Sequence, residues 1–265
     1  FKGSGGIHVR MDSTEENIVH IEFADENGVN IQRSLEREIE NLFNRGDFKR
    51  CNAEDIQSCI SIENFHEFYI NNGMRLLMDI SSIKRKSPNI LIASKSQSIQ
   101  KLTSQFLEKI GCEIQMDYGL GEYSEIKDYF PIMSKLVTSG SVDLGVIVSE
   151  DGEKVILIDK NGKVIHQEQY DMLVVMMFLK EGYRGKLVLP YTAPYSIEKI
   201  AKENEIEILR TKSNPASMMD AMYRIDGGEK KGLSQYILSY NAIWAIGMII
   251  DFLIRNNHKL EELVE

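Results

Sequence analysis

The sequence predicts an α/β protein built of tandem α/β/α layered domains, preceded by the end of a first such domain. From residue 89 onward, strand-like segments alternate with amphipathic helices, which is typical of a mostly parallel sheet covered on both faces. The alternation repeats, because SIQKL at residues 98–102 is matched by SIEKI at residues 196–200. Before it, two strand patterns at residues 7–10 and 18–24 and one helix are too little for a complete layer.

These patterns divide the chain into four segments. Residues 1–62 are predicted to be the end of a first domain, and residues 63–87 a single long linking helix. Pro88 ends that helix, since proline disfavours the helical conformation in the residue before it. Residues 88–169 and 170–265 are predicted to be a second and a third α/β/α domain.

The predicted elements of these two domains follow from hydrophobic periodicity. The second domain has predicted strands at 89–93 and 112–116 and helices at 98–111 and 124–139. The third has predicted strands at 186–189 and 206–211 and helices at 172–179, 196–204, 216–222 and 240–255.

Composition excludes several classes of protein. A net charge of −9 disfavours a nucleic-acid partner or an anionic membrane surface. The longest apolar runs, residues 172–179 and 243–250, are too short to span a bilayer. The three cysteines lack metal-ligand spacing, which favours reduced thiols and a cytoplasmic location. The chain starts without methionine and reaches a strand almost at once, so we expect it to be part of a longer polypeptide.

Residues 141–166 are predicted to form a three-stranded meander with an acidic tip. Apolar strands at 144–148 and 155–158 flank Asp151-Gly152, and Asn161-Gly162 precedes a third strand; both dipeptides are strong hairpin signals. Carboxylates clustered at the end of a strand can hold a divalent cation. The alternative is a solvated turn, since acidic residues are also common in surface turns.

A glycine-rich segment at residues 226–232 precedes the last helix. Such a loop can admit a sugar or a phosphate close to the backbone. It can equally be an ordinary turn, because the segment has no Walker spacing.

Three landmarks in this order resemble the alpha-D-phosphohexomutases, the phosphomannomutase and phosphoglucomutase family. They are GGIHV at residues 5–9, the hairpin of residues 143–162, and Gly228-Glu229 ahead of a closing amphipathic helix. Members of this family have four domains, of which the first three are α/β/α layers. The resemblance implies that this chain contains the end of the first domain and the whole of the second and third.

The resemblance also implies a metal site. The family's magnesium loop, D-x-D-G-D-R, corresponds to SEDGEK at residues 149–154. Ser149, Asp151 and Glu153 then occupy the metal-ligand positions, and Lys154 occupies the position of a phosphate-binding arginine. Mg²⁺ is the implied cofactor, but a lost carboxylate and a lengthened one should weaken its binding. Lysine also lacks the planar fork with which arginine holds a phosphate.

The other implied sites are carried over in the same way. The family's sugar loop, G-E-x-S-G-H, assigns Gly228 and Glu229 to the sugar and places Lys231 where a serine is usual. Arg210 matches the family's R-T run and is predicted to bind phosphate. The family's catalytic phosphoserine lies in a T-A-S-H-N-P loop before the first strand. No residue of this sequence matches that loop, so no catalytic residue is assigned.

The resemblance implies a module that interconverts a hexose 1-phosphate and a hexose 6-phosphate in carbohydrate and sugar-nucleotide metabolism. The altered motifs predict that residues 1–265 have no turnover on their own. Degenerate regions of this kind resemble the C-terminal part of bacterial mannose-1-phosphate guanylyltransferase-like fusion proteins, which implies an N-terminal nucleotidylyltransferase domain as partner. The alternative is a non-catalytic region that senses a sugar phosphate or acts as a scaffold.

Overall fold

The computed structural model describes residues 3–11, 17–56, 58–225 and 230–264. It confirms an α/β fold with helices layered on sheets. An antiparallel ribbon opens the chain, where β1 (Gly6–Met11) pairs with β2 (Val19–Ala24) and Ile7 lies opposite Phe23. Helix α1 (Arg33–Arg45) follows and ends at Gly46 in the left-handed conformation.

The linking helix predicted over residues 63–87 is wrong as a single element. The structure has two helices, α2 (Phe65–Met74) and α3 (Ile80–Lys86). Asp79 caps α3 by accepting a hydrogen bond from the Ser82 N–H at 3.0 Å. The buried carboxylate of Asp251 accepts the N–H groups of Met78 and Asp79 at 3.2 and 2.9 Å, which fixes the break.

A five-stranded sheet forms the centre of the molecule. Its strands, in chain order, are β3 (Asn89–Ala93), β4 (Glu113–Asp117), β5 (Leu144–Val148), β6 (Val155–Asp159) and β7 (Val164–Ile165). Their order across the sheet is β4-β3-β5-β6-β7. Strand β3 is parallel to β4 and β5, whereas β6 and β7 are antiparallel additions. The sheet is therefore mixed rather than mostly parallel, while the predicted meander of β5, β6 and β7 is confirmed.

Two helices cover this sheet from opposite sides, as the alternation predicts. They are α4 (Gln97–Ile110) and α5 (Ile126–Ser139). Successive side chains of a strand point to opposite faces. Ile92 therefore shares a core with Phe106 of α4, whereas Leu91 shares a different core with Tyr129 of α5.

The remaining chain is mostly helical around a two-stranded parallel sheet. The elements are α6 (Gln167–Lys180), β8 (Lys186–Pro190), α7 (Tyr195–Glu203), β9 (Glu207–Thr211), α8 (Pro215–Arg224), α9 (Lys230–Tyr240), α10 (Ala242–Arg255) and α11 (Glu261–Val264). Helices α4 and α7 carry the repeated pentapeptides, and each connects two parallel strands. The sequence repeat therefore corresponds to a repeated strand-helix-strand unit.

The predicted helix at residues 240–255 corresponds to α10. A further helix, α9, lies before it, so Lys230 to Gly232 belong to a helix and not to a turn. The two helices are bent by 112° relative to each other. Among the described residues, no single helix is long and apolar enough to cross a membrane. Taken together, the two bent helices reach the length and apolar composition of a membrane span, and only these two properties support such a span.

Helix α10 joins the two halves of the chain. Its Ile243 and Ile246 are buried in the same core as Ile83 of α3 and Phe106 of α4. That core also contains Leu187 of β8. The core thus contains residues from both sides of positions 169 and 170, where the sequence predicts a domain boundary. That boundary stays a prediction.

Candidate functional site

A cleft of about 260 Å³ lies where several strand ends converge. Its lining residues come from the hairpin tip after β5, from the segments that follow β8 and β9, from α6, and from the end of α9; they include Lys154, Asp171, Pro190, Thr192, Ser213 and Tyr240. In α/β proteins, ligands bind outside the carboxyl ends of parallel strands. This cleft is therefore our candidate site.

The hairpin tip is held by its own polar groups. The Ser149 hydroxyl donates to the Asp151 carboxylate, which also accepts the Glu153 N–H at 2.9 Å. The Lys154 N–H donates to Ser149 Oγ at 2.9 Å. Gly152 has a φ of 76°, a left-handed conformation that the Asp-Gly signal predicts. The turn therefore presents the Lys154 side chain in a fixed direction.

Among the described residues that line the cleft, Lys154 is the cation, and its amine is held by uncharged groups. Nζ donates to the Ser239 carbonyl at 2.9 Å and lies 4.0 Å from the centre of the Tyr240 ring. Burial lowers the pKa of Lys154, and the nearby carboxylates of Glu153 and Asp171 oppose that shift. An ammonium has three N–H donors, so this one can still donate to a ligand.

Asp171 faces Lys154, and the sequence did not point to it. It lies in the second turn of α6, and its Oδ1 accepts a hydrogen bond from Gln167 Nε2 at 2.8 Å. Burial raises its pKa to about 6, although Gln167 and Lys154 both act to lower it. The only signal in the sequence is that Asp171 precedes the apolar run MLVVMMF. That run is typical of a buried helix and does not indicate a site.

Two hydroxyls complete the polar lining. Thr192 Oγ1 and Ser213 Oγ are 3.4 Å apart, beyond the ends of β8 and β9. Sequence reasoning missed this pair as well, because their meeting depends on the parallel pairing of the two strands. Hydroxyls can both donate and accept, as sugar and phosphate oxygens require.

The predicted metal ligands lie together, but their donors do not fit magnesium. Ser149 supplies a hydroxyl where a carboxylate would be needed, and that hydroxyl donates its proton to Asp151. Within the ranges that the structure describes, no three His, Cys, Asp or Glu side chains are arranged to hold a metal. Burial and the charge of Asp151 raise the pKa of Glu153, as expected for neighbouring carboxylates.

Arg210 is engaged by the protein itself. Its Nε donates to Glu198 at 2.9 Å, and one terminal nitrogen donates to the carbonyls of Pro190 and Ala193 at 2.9 and 2.7 Å. These contacts stabilise the turn between β8 and α7. A guanidinium has five N–H donors, and three of them make these hydrogen bonds, so two remain for a phosphate. Its assignment as a phosphate ligand stays a prediction.

The predicted sugar loop is placed only in part. Gly228 and Glu229 lie outside the described residues, and Lys231 is in the first turn of α9. Their assignment to the sugar also stays a prediction.

Comparison with known proteins adds sequence evidence along the whole chain. No family model matches it. A phosphoglucomutase/phosphomannomutase of Thermococcus kodakarensis is 21% identical over 283 residues, covering 100% of this chain and 60% of the relative. A phosphoglucosamine mutase of Thermosipho africanus is 25% identical over 229 residues, covering 79% of this chain and 50% of the relative.

Solved structures show the same fold. A phosphoglucomutase/phosphomannomutase family protein from Burkholderia thailandensis superposes with a TM-score of 0.77 at 12% identity, over 98% of this chain and 58% of that one. Parafusin, a phosphoglucomutase from Paramecium, gives a TM-score of 0.68 at 15% identity, over 98% of this chain and 56% of that one.

The chain thus spans about 60% or less of the length of these relatives. Its matched sequence and its fold support the resemblance to the alpha-D-phosphohexomutase family.

Proposed function

We propose that this chain is a phosphohexomutase-like module that binds a hexose phosphate in the cleft and does not turn it over on its own. One observation carries the proposal. The amine of Lys154 is held by the Ser239 carbonyl at the cleft beyond the carboxyl ends of β8 and β9, and it keeps N–H donors for a ligand.

Each polar group has a role in this proposal. Lys154 donates to a phosphate oxygen, and the hydroxyls of Thr192 and Ser213 bind phosphate or sugar oxygens. The predicted sugar residues Gly228 and Glu229 precede α9 in the sequence, and Lys231 lies in its first turn. The far end of α9 lines the cleft through Ser239 and Tyr240.

The absence of turnover follows from the chemistry of phosphoryl transfer. That reaction depends on positioning and on neutralising the charge of the transferred group. The sequence has no match to the phosphoserine loop, and Ser149, Asp151 and Glu153 do not form a donor set that suits magnesium. We therefore expect residues 1–265 to bind a sugar phosphate and not to move its phosphoryl group on their own.

The same mismatch favours a second candidate, a sugar-phosphate-sensing or scaffold region within a sugar-1-phosphate nucleotidylyltransferase. In that case an N-terminal nucleotidylyltransferase domain is the partner, and the parent protein serves sugar-nucleotide synthesis in the cytoplasm. The free state of Cys51, Cys59 and Cys112 is consistent with that location.

Thermal unfolding with ligands tests the proposal. Mannose 1-phosphate, glucose 1-phosphate and glucose 6-phosphate are each added with and without Mg²⁺. A ligand at a hundred times its dissociation constant adds about 2.7 kcal/mol of stability, which a melting curve resolves. We expect stabilisation that does not require Mg²⁺, together with no interconversion of the phosphates.

Variants locate the effect. Lys154→Met should abolish the stabilisation, and Glu229→Ala should reduce it. The control Lys135→Met removes an exposed lysine of α5 and should behave as the wild type. Wild-type protein that none of the three phosphates stabilises would contradict ligand binding and leave the scaffold role.

A further inference from the structure

The cleft contains its own counter-charge, and this has a consequence for how it binds an anion. We propose that Asp171 takes up a proton when a phosphorylated ligand binds to Lys154, so that binding at this cleft is coupled to protonation. The inference rests on the proposed function and deepens it, because it states how the site accommodates a phosphate.

The geometry places the carboxylate where a phosphate on Lys154 would meet it. Asp171 and Lys154 line the same cleft, from α6 and from the hairpin tip respectively. The two side chains are near enough for each charge to act on the pKa of the other. Gln167 is the one side chain in those ranges that donates a hydrogen bond to Asp171. The carboxyl group therefore has a free oxygen with which to meet the ligand.

The groups around an ionised Asp171 disfavour the binding of a dianion next to it. Lys154 faces this carboxylate from the hairpin, Glu168 lies next to it on α6, and the phenol of Tyr240 faces it from the end of α9. Near Lys154 there are also the carboxylates of Glu153 and Asp151. A phosphate would add about two negative charges to a site whose described lining residues include one cation, Lys154. Repulsion between close charges of like sign at a partly buried site costs tenfold or more in affinity.

Protonation of Asp171 relieves this repulsion. A proton from solvent binds to the free carboxylate oxygen, and the resulting O–H donates to a phosphate oxygen. No bond in the ligand is made or broken. Burial raises the pKa of the Asp171 carboxyl to about 6, so this group gains a proton near neutral pH at less cost than an ordinary aspartate does. A bound phosphate would raise that pKa further.

Calorimetry measures this coupling directly. Inorganic phosphate and glucose 6-phosphate are titrated into the protein at pH 7.5 in buffers of different ionisation enthalpy, which yields the number of protons taken up. Three proteins are compared: wild type, Asp171→Asn, and the control Glu108→Gln, which removes an exposed carboxylate from α4.

We expect wild type and Glu108→Gln to take up a substantial fraction of one proton more than Asp171→Asn. The asparagine variant should also bind both probes about ten-fold more tightly at pH 8, since its amide can donate without a proton from solvent. Far-ultraviolet circular dichroism verifies folding, and Asp171→Ser serves if the asparagine variant does not fold.

Two failures can be told apart. If all variants bind with equal affinity and equal proton uptake, the inference is overturned and the proposed function stands. If no variant binds either probe between pH 5 and 8, both are overturned.

Discussion

Gln235 forms two hydrogen bonds with the main chain of Val188, accepting its N–H at 3.0 Å and donating to its carbonyl at 2.6 Å. Both residues are buried. Val188 is in the middle of β8, whose other side pairs with β9. One amide side chain of α9 thus takes the place of a neighbouring strand. An unpaired edge is otherwise a liability in a sheet.

Replacing this amide should destabilise the protein. Gln235→Ala leaves a buried N–H and a buried carbonyl without partners, each costing about 1–3 kcal/mol. We expect the free energy of unfolding to fall by about 2 kcal/mol or more in a urea titration. Gln105→Ala, at an exposed position of α4, should change it by less than about 0.5 kcal/mol. Equal changes in the free energy of unfolding of the two variants would show that the hydrogen bonds between Gln235 and Val188 do not stabilise the protein.

The corner between α2 and α3 depends on Asp251. Asp251→Ala removes the acceptor of two backbone N–H groups, those of Met78 and Asp79. It also removes a carboxylate 3.6 Å from Arg255. We expect a loss of about 2–3 kcal/mol in urea unfolding, because two part-buried backbone donors and Arg255 lose a charged partner. The exposed Asp47→Ala is the control, and hydrogen exchange at residues 78 and 79 should accelerate only in the Asp251 variant.

Asp171 should make stability fall as pH rises. Its pKa is raised to about 6 in the folded protein and is about 3.9 in the unfolded chain. The folded state therefore binds more protons between these values. The stabilisation that this proton gives the folded state is fully present below about pH 4 and is lost as pH rises through 6. Asp171→Asn should be more stable than wild type at pH 8, by up to about 2 kcal/mol, with the difference shrinking towards pH 4. A constant difference across this range would contradict the assignment.

The left-handed turn at Gly152 should not tolerate a side chain. A Cβ at this position would lie 3.2 Å from Ile99 Cδ1, and its φ of 76° costs about 1–2 kcal/mol for residues other than glycine. Gly152→Ala should lower the melting temperature by several degrees and weaken ligand binding through Lys154. Gly121→Ala, where a Cβ meets nothing within 4 Å, is the matched control.

Local sequence signals predicted most of the fold. The dipeptides Asp151-Gly152 and Asn161-Gly162 predicted the meander, and the repeated pentapeptides predicted two equivalent crossover helices. The break before α3 was missed because its cause, Asp251, is 172 residues from Asp79 along the chain. Helix α9 was missed because its glycine and lysines read as a turn.

The site was predictable only where it depends on one hairpin. Lys154 follows the predicted turn and lines the cleft. Asp171 reaches the cleft only because α6 packs beside the hairpin, and Thr192 meets Ser213 only because β8 and β9 are parallel. Such meetings are set by tertiary packing, which no local pattern encodes.

The position of α10 has a consequence for how the chain folds during synthesis. Ile243 and Ile246 complete the core that begins with Ile83 of α3 and Phe106 of α4. A nascent chain that has emerged only as far as α9 exposes that apolar face of α3 and α4. Closure of the central unit must therefore wait until residues 242–255 have left the ribosome, and the face exposed meanwhile is where a chaperone would bind.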